Sequence, residues 1–213
     1  MTKTVFHGSI YTIVEVHCLM QFLAKTPCFP QDCYTSCMVH KDHVRLIEKG
    51  ISKNGGGVWA DFGSGDGAFT LALRDIAGPD VQIFSLDQEK SRLSVQKKEF
   101  DQMFPHSHIE YIAADFTGHL DLPPLDGLIA ANSIHFFKER TEVIRKLATY
   151  LKPRGTFIIV EYNADQGNMW VPHPFTYPQF ADFANQAGLK NPQLLATTPS
   201  SFLDEIYSAK AVK

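Results

Sequence analysis

The stretch VWADFGSGDGAF, residues 58–69, decides the fold of this 213-residue chain. Its apolar start has the length and composition of a buried strand, and Gly63, Gly65 and Gly67 follow at alternate positions. Glycine permits a tight turn and lets a ligand approach the backbone closely. A helix that begins near Ala68 would offer unpaired N–H groups at the same place. The stretch therefore predicts a strand, a ligand-binding turn and a helix, although a plain sharp turn would also use glycine.

Downstream of this stretch, apolar runs of strand length alternate with amphipathic runs of helix length, which is typical of a parallel sheet covered by helices on both faces. Seven strands are predicted, at Val58–Phe62, Val81–Leu86, Ile109–Ala113, Asp126–Ala131, Thr156–Val160, Gln193–Thr197 and Glu205–Lys213. Five helices are predicted, at Asp42–Lys49, Ala68–Ile76, Glu89–Met103, Glu139–Leu151 and Pro178–Ala187. The segment Lys152 to Gly155 is predicted to be a turn. The alternation indicates an α/β, doubly wound, Rossmann-like fold.

The charge balance argues against a polyanionic partner. Twenty basic residues stand against 23 acidic ones, and the formal net charge is -3. A protein that binds nucleic acid as its main partner usually carries a basic footprint. We therefore expect no nucleic acid partner.

The first 37 residues differ from the rest of the chain because they hold all four cysteines, Cys18, Cys28, Cys33 and Cys37. Their spacing does not reproduce a paired C-x-x-C zinc pattern, so we predict no metal site. The apolar opening stretch is interrupted by polar residues and resembles neither a signal peptide nor a membrane span. We expect a cytoplasmic protein without membrane association. We further expect residues 1–37 to be an extension, either a wrongly assigned start before Met38 or a lid, and residues 38–213 to form one domain.

Several polar residues stand at predicted strand ends. In a doubly wound sheet, ligands bind beyond the carboxyl ends of the strands, which gathers Asp87, Asp115, Asn132 and Glu161 beside the glycine turn. Asp87 lies 20 residues beyond Gly67, where a carboxylate can accept hydrogen bonds from both ribose hydroxyls. A helix N-cap is the alternative role for Asp87.

Five segments together resemble the class I S-adenosylmethionine-dependent methyltransferases. They are VWADFGSGDG at 58–67, FSLDQ at 84–88, AADFTG at 113–118, LDGLIAANSIHFF at 125–137 and LKPRGTFIIVEY at 151–162. The resemblance extends from about Lys41 to the end of the chain. It implies a seven-stranded, mainly parallel sheet with an antiparallel last strand, and S-adenosylmethionine as the cofactor. Asp66 and Arg154 depart from the common pattern, in which a small or hydroxyl residue and a glycine are frequent.

The resemblance also implies roles for single residues. The glycine turn would cradle the methionine end, Asp87 would bind the ribose, Asp115 and Phe116 would contact the adenine, and Asn132 would face the methionine moiety. The full set of implied cofactor positions is Asp61, Gly63, Ser64, Gly65, Gly67, Asp87, Gln88, Asp115, Phe116 and Asn132.

Methyl transfer from a sulfonium is an in-line displacement, so alignment of the reactants supplies much of the rate and no covalent enzyme nucleophile is needed. A general base helps when the accepting atom carries a proton, and His135, Glu161 and Tyr162 are the candidates. His135 ranks first, although a purely structural role is equally consistent with the sequence. The aromatic-rich segment Tyr162 to Tyr177 would shape the acceptor pocket, or would pack over the last helix.

We expect an enzyme that methylates a small-molecule acceptor. No Asn-Pro-Pro-Tyr sequence follows the fourth strand, which argues against amino-methylation of adenine or glutamine. A nicotinamide-dependent oxidoreductase is the first alternative, but its fingerprint is Gly-x-Gly-x-x-Gly and the third glycine here comes one residue early. A non-catalytic S-adenosylmethionine-binding module is the second alternative.

Overall fold

A computed structural model describes residues 38–200 and 202–213. The predictions for residues 1–37 and their four cysteines lie outside these described residues. The strands are β1 Val58–Phe62, β2 Gln82–Asp87, β3 His108–Ala113, β4 Leu125–Ala131, β5 Leu151–Tyr162, β6 Lys190–Pro199 and β7 Glu205–Val212. The α-helices of the described residues are α1 His40–Ile47, α2 Ala68–Ala77, α3 Lys90–Met103, α4 Arg140–Thr149 and α5 Tyr177–Gln186. Single 3₁₀ turns lie at Glu48–Gly50 and Ile134–Phe136.

The seven strands form one sheet in the order β3-β2-β1-β4-β5-β7-β6. β1 pairs in parallel with both β2 and β4, and β7 runs antiparallel to β5 and to β6. The strand order reverses on either side of β1, so the crevice between β1 and β4 is the switch point at which ligands bind in such sheets. The doubly wound, Rossmann-like fold with an antiparallel last strand is confirmed.

Helices cover both faces because each strand of the central sheet presents apolar side chains alternately to either side. On one face, Leu46 of α1 and Leu73 of α2 are fully buried, in a cluster that also holds Trp59 of β1 and Ile83 of β2. On the other, Ile144 of α4 and Phe180 of α5 are fully buried against β4 and β5. The sheet is thus held from both sides, which fixes the relative positions of the strand ends.

Most predicted boundaries differ from the observed ones by a few residues, and the largest difference lies at the start of β5, predicted at Thr156 and found at Leu151. The helix predicted to reach Leu151 ends at Thr149, and Leu151 opens the strand. β4 pairs Leu125 with Leu151 but Gly127 with Thr156, so the extra residues between these pairs bulge out of the ladder. The predicted turn is therefore a bulge inside a longer strand.

The bulge generates a prediction about Arg154, which is exposed and has φ +66°. A left-handed conformation costs a non-glycine residue about 1–2 kcal/mol, and glycine avoids that cost while losing about 0.5–1 kcal/mol in chain entropy. Arg154→Gly should therefore raise the free energy of unfolding by about 0.5–1 kcal/mol in a urea titration. Arg154→Ala is the matched control, since it keeps the strain and should give no gain. Equal effects of the two substitutions would contradict the explanation.

Candidate active site

The glycine turn is fixed by the neighbouring strand. The N–H groups of Gly63 and Ser64 both donate to the carbonyl of Leu86 at the end of β2, at 2.8 and 2.9 Å. The N–H of Gly67 closes the turn on the carbonyl of Ser64 at 2.9 Å. Gly63, Gly65 and Gly67 have φ of +76°, +54° and +92°, a region that L side chains rarely occupy. The turn therefore favours glycine at these positions.

The surroundings of the three glycines differ. A Cβ at Gly63 would lie 2.6 Å from Cβ of Ser133, and a Cβ at Gly67 would lie 2.3 Å from Cγ of Gln96. A Cβ at Gly65 would meet only the Arg92 guanidinium, at 3.3 Å. The protein thus packs tightly against the first and third glycines and leaves the middle of the turn open.

A buried polar chain that sequence reasoning missed supports the turn from behind. The hydroxyl of Ser85 is 2.8 Å from that of Ser64 and 2.8 Å from Oε1 of Gln96. Ser85 has a single hydroxyl hydrogen. It donates this hydrogen to Oε1 of Gln96, which can only accept, and it accepts the hydroxyl hydrogen of Ser64. Ser85 and Gln96 are fully buried. Two features of the sequence indicated this support: Ser85 is a polar residue within an apolar strand, and Gln96 lies on the apolar side of a helix between Leu93 and Phe100.

Asp87 organises the start of α3 and also faces the turn. Its Oδ2 accepts the N–H of Gly65 at 2.9 Å, and its Oδ1 accepts the N–H of Glu89 at 2.8 Å. The N-cap residue of α3 is Glu89, so Asp87 does not hold the N-cap position that was the alternative prediction. A carboxylate offers about four acceptor positions, which leaves Asp87 capacity for further donors. Gln88 beside it is exposed.

Asp115 and Phe116 lie at the end of β3. Asp115 is exposed, and the N–H and hydroxyl of Thr117 donate to its Oδ1 at 2.8 and 2.7 Å. These two hydrogen bonds lower the pKa of Asp115. Phe116 is buried edge-to-face against Phe62 and Phe137, with centroid distances of 6.0 and 5.5 Å. The Asp115 carboxylate is thus accessible at the edge, whereas the Phe116 ring belongs to the core below it.

Three buried oxygens beside the glycine turn have no hydrogen-bond partner among the described residues: Oδ1 of Asp61, Oδ1 of Asn132 and Oγ of Ser133. Asp61 is the last residue but one of β1, and Asn132 and Ser133 directly follow the adjacent β4. A buried acceptor without a partner is costly, so such groups call for a ligand or water. Together they fit a hydrogen-bond donor with positive charge, such as an ammonium group.

Asp61 is the most deeply buried of these groups. Its Oδ2 accepts the hydroxyl hydrogen of Thr70 at 2.6 Å, and the residue is 1% exposed. Burial raises the pKa of Asp61 to about 7, and the nearby charge of Asp87 acts in the same direction, while the Thr70 hydrogen bond opposes both. The carboxylate is therefore poised to ionise fully when a cationic group pairs with it.

His135 and Glu161 form a buried pair at the ends of β4 and β5. Nδ1 of His135 lies 2.7 Å from Oε2 of Glu161, and His135 is 2% exposed. Oε1 of Glu161 also accepts the backbone N–H groups of Ile134 and His135, at 3.0 and 3.2 Å. Both oxygens of Glu161 thus receive donors from a single turn. With Nδ1 donating to Glu161, the lone pair of a neutral ring lies on Nε2.

Tyr162 lies beside this pair. Its ring centroid is 6.1 Å from that of His135. Burial, with a smaller contribution from the charge of Glu161, raises the pKa of Tyr162. Tyr162 therefore keeps its proton at neutral pH.

The segment after β5 is anchored next to His135. The N–H of His173 donates to the carbonyl of His135 at 3.0 Å, and Arg140 donates to the carbonyl of His173 at 3.1 Å. Phe175 is fully buried, whereas Trp170 is 64% exposed. The segment thus packs against the last helix through the contact of Phe175 with Phe183, one of the two predicted arrangements, and Trp170 is exposed. A role in the acceptor pocket stays a prediction.

Two shallow cavities lie at the opposite edge of the sheet, at the amino-terminal ends of the strands. One, of about 470 Å³, is lined by residues of the starts of β2 and β3, and another, of about 280 Å³, by the Gly55–Gly57 loop and its neighbours. Neither includes any of the predicted site residues. The unpartnered acceptors and the His135–Glu161 pair are the stronger indication of a site, so we assign it to the carboxyl edge.

Within the described residues, His, Cys, Asp and Glu side chains form no group of three or more that could hold a metal ion. In the same residues, no helix has the length and apolar character needed to cross a membrane.

The crowding at Gly67 predicts a coupling with Gln96. Gly67→Ala should lower the free energy of unfolding by about 2 kcal/mol or more, for two reasons. Alanine is strained at this positive φ, and its Cβ would lie 2.3 Å from Cγ of Gln96. Adding Gln96→Ala should remove the close contact, whereas the backbone strain at position 67 remains. A double-mutant cycle of the two substitutions, measured by urea unfolding, should therefore give a favourable coupling of about 1 kcal/mol. Gly65→Ala is the control, and it should show no coupling with Gln96→Ala. Additive effects at Gly67 and Gln96 would contradict the packing.

Comparison with known proteins agrees with this geometry. Residues 53–193 match a family of methyltransferase domains. A protein of Thermoplasma volcanium named probable cobalt-precorrin-6B C(15)-methyltransferase (decarboxylating) is 22% identical over 120 residues. That alignment covers 56% of this chain and spans 58% of the relative's own length.

Solved structures with the same fold include the YcgJ protein of Bacillus subtilis, with a TM-score of 0.66 and 14% identity over 82% of this chain and 99% of that one. A SAM-dependent methyltransferase of Aquifex aeolicus gives a TM-score of 0.61 and 14% identity over 80% of this chain and 89% of its own. Family and fold imply S-adenosylmethionine as the cofactor. The chain belongs to the methyltransferase domain family.

Proposed function

We propose that the protein transfers a methyl group in-line from S-adenosylmethionine to a small-molecule acceptor at the carboxyl edge of the sheet. The observation that carries this proposal is the cluster of unpartnered buried oxygens on Asp61, Asn132 and Ser133, which adjoins an open glycine turn. The cofactor ends in an ammonium group and carries a sulfonium, so it supplies the positive donor that these acceptors lack.

Each cofactor contact is assigned to the residue whose chemistry fits it. Asp61 and Asn132 accept from the ammonium group, while the open backbone at Gly65 lies along the methionine moiety. Asp87 uses its remaining acceptor positions for the ribose hydroxyls. The exposed Asp115 accepts from the adenine amino group, and Gln88 and Phe116 border the nucleoside.

When bound, S-adenosylmethionine supplies an electrophilic methyl group, whose bond to sulfur breaks as the bond to the acceptor forms, leaving S-adenosylhomocysteine. The protein's contribution is mainly alignment, which is worth up to roughly 10 kcal/mol in well-oriented reactions. His135 receives the proton of the acceptor on Nε2, and Glu161 holds the ring in the required tautomer through Nδ1. Tyr162 is a protonated neighbour and not the base.

Several features support a small, uncharged or weakly charged acceptor. The chain has a formal net charge of -3, which offers no overall basic footprint for a polyanion, so we propose no nucleic acid substrate. The segment from Tyr162 to Tyr177 is fixed beside His135 at His173, which supports its proposed role in the acceptor pocket. We also propose a cytoplasmic location and no membrane association.

Calorimetric titration with S-adenosylmethionine, S-adenosylhomocysteine and NAD tests the cofactor assignment. The first two should bind and NAD should not, whereas preference for NAD would support an oxidoreductase. Transfer of a labelled methyl group to a metabolite mixture then separates an enzyme from a non-catalytic binding module, because the module would bind the cofactor and transfer nothing.

Asp61 predicts a pH dependence of cofactor binding. Since its pKa is near 7 in the free protein, the dissociation constant for S-adenosylhomocysteine should rise as the pH falls from 7.5 to 6, by up to about ten-fold per pH unit below the pKa. Asp61→Asn should bind more weakly and lose this slope in calorimetric titrations. Thr70→Val, which removes only the hydroxyl donor, should keep a slope and shift it to higher pH. A wild-type affinity that is flat over this range would refute the role of Asp61.

The same group predicts how the unliganded protein responds to pH. A raised pKa means that the folded protein holds a proton which the unfolded chain has released, so the contribution of Asp61 to stability falls as the pH rises from about 4 to 7. Asp61→Asn should remove this fall in urea titrations of the free protein. An unchanged pH profile in the variant would contradict it.

The base assignment separates the three candidates by their pH–rate profiles. His135→Asn should lower kcat by about 10²–10⁴-fold for an acceptor that carries a proton and abolish the rise of kcat with pH. Glu161→Gln should lower kcat too, because its amide puts a donor where backbone N–H groups and Nδ1–H already donate. Tyr162→Phe is the matched control and should keep the profile. A profile unchanged in His135→Asn would exclude it as the base.

A further inference from the structure

An aromatic row crosses the acceptor side of the site, which we define as Phe136, His135, Tyr162 and Phe202. Ring centroids are 4.3 Å apart for His135 and Phe136, 6.1 Å for His135 and Tyr162, and 5.7 Å for Tyr162 and Phe202. The rings come from three separate segments: the turn after β4, the end of β5 and the loop before β7. The fold therefore assembles a continuous aromatic surface from distant parts of the sequence.

The side chains of the aromatic row differ in their exposure to solvent. Phe136 is 58% exposed and Phe202 is 45% exposed, while His135 between them is 2% exposed. Single exposed apolar residues are ordinary, whereas exposed apolar residues that adjoin one another are a feature of binding sites. A molecule that reaches His135 would lie next to Phe136 and Tyr162, whose rings adjoin the histidine.

The chemistry of the row narrows the class of molecule. None of its four side chains carries a permanent charge, so it offers nothing to fix a phosphate or a carboxylate. Its ring faces favour another ring by offset or edge-to-face packing. Its polar groups are the His135 imidazole, which can accept a proton, and the protonated Tyr162 hydroxyl, which can donate a hydrogen bond.

We propose that the methyl acceptor is a planar aromatic molecule bearing a hydroxyl group, which lies on the aromatic row with its hydroxyl directed at His135. This substrate class rests on the proposed function. In the reaction, the acceptor's O–H bond breaks and its proton moves to Nε2 of His135, the oxygen forms a bond to the methyl carbon, and the carbon–sulfur bond breaks. The products are an aryl methyl ether and S-adenosylhomocysteine, and the proton then leaves His135 for solvent.

The test uses 2-naphthol and its saturated analogue decahydro-2-naphthol as probes of the full chain loaded with S-adenosylhomocysteine. Both probes are apolar alcohols of similar size, but only the first has ring faces. Calorimetry should give tighter binding of 2-naphthol, by about three- to ten-fold. Phe136→Leu, which keeps an apolar side chain and removes the ring, should erase this preference. Leu194→Ala is the control, since Leu194 is 47% exposed in the middle of edge strand β6 and should leave both affinities unchanged.

The outcomes separate the two levels of the proposal. If S-adenosylhomocysteine binds but 2-naphthol does not, or if both alcohols bind equally, the aromatic acceptor is overturned while the methyltransferase assignment stands. If S-adenosylhomocysteine itself fails to bind, the proposed function falls first. If the protein forms a dimer in sedimentation experiments and Phe136→Leu abolishes it, the aromatic row is a dimer interface, which would also overturn the proposal. With S-adenosylmethionine, formation of 2-methoxynaphthalene, lost in His135→Asn, supports it.

Discussion

The carbonyl oxygen of Leu86 accepts hydrogen bonds from both Gly63 and Ser64, and the geometry of the carboxyl edge depends on this contact. It joins the turn after β1 to the last residues of β2, so the turn cannot shift along the strand without losing both bonds. The parallel register of β1 with β2, in which Phe62 faces Leu86, brings the two groups together. Asp87, the next residue, is thereby held against the N–H of Gly65. A single backbone acceptor thus sets the distance between the turn and the carboxylate proposed to bind ribose.

The two buried acids at this edge are stabilised in opposite ways. Glu161 receives three donors from one turn, so its burial is compensated within the protein, and it holds His135 rigidly. Asp61 receives one hydroxyl and keeps an unpartnered oxygen, so burial raises its pKa. The first arrangement suits a fixed structural support. The arrangement of Asp61 suits a group that is fully stabilised only when a ligand binds, because an uncompensated buried acceptor costs about 1–3 kcal/mol.

The alternation of strands and helices predicted the sheet, and the position of the glycine turn predicted the edge to which we assign the site. These features depend on local patterns, which the sequence contains directly. The support behind the turn was missed, because polar residues in an apolar pattern do not show which partners they meet, and the contact of Gln96 with Gly67 depends on how α3 packs. The β5 bulge was missed for a similar reason, since Leu151 becomes a strand residue only by pairing with Leu125. Phe202 lies in the loop between the antiparallel strands β6 and β7, and the pairing of β7 with β5 brings it to Tyr162. No local sequence pattern indicates this contact.

The unpartnered oxygens also explain why cofactor affinity and stability should be linked at this site. A ligand that binds only the folded protein stabilises it by RT ln(1 + [L]/Kd), about 2.7 kcal/mol at a hundred-fold excess over Kd. At this edge, part of that gain would come from supplying a donor to Asp61 and Asn132. The carboxyl edge is therefore less stable without the cofactor than a fully satisfied edge would be, whereas the His135–Glu161 pair is satisfied in either state. Cofactor binding is thus expected to tighten the β1 and β4 ends while leaving the proposed base already in position.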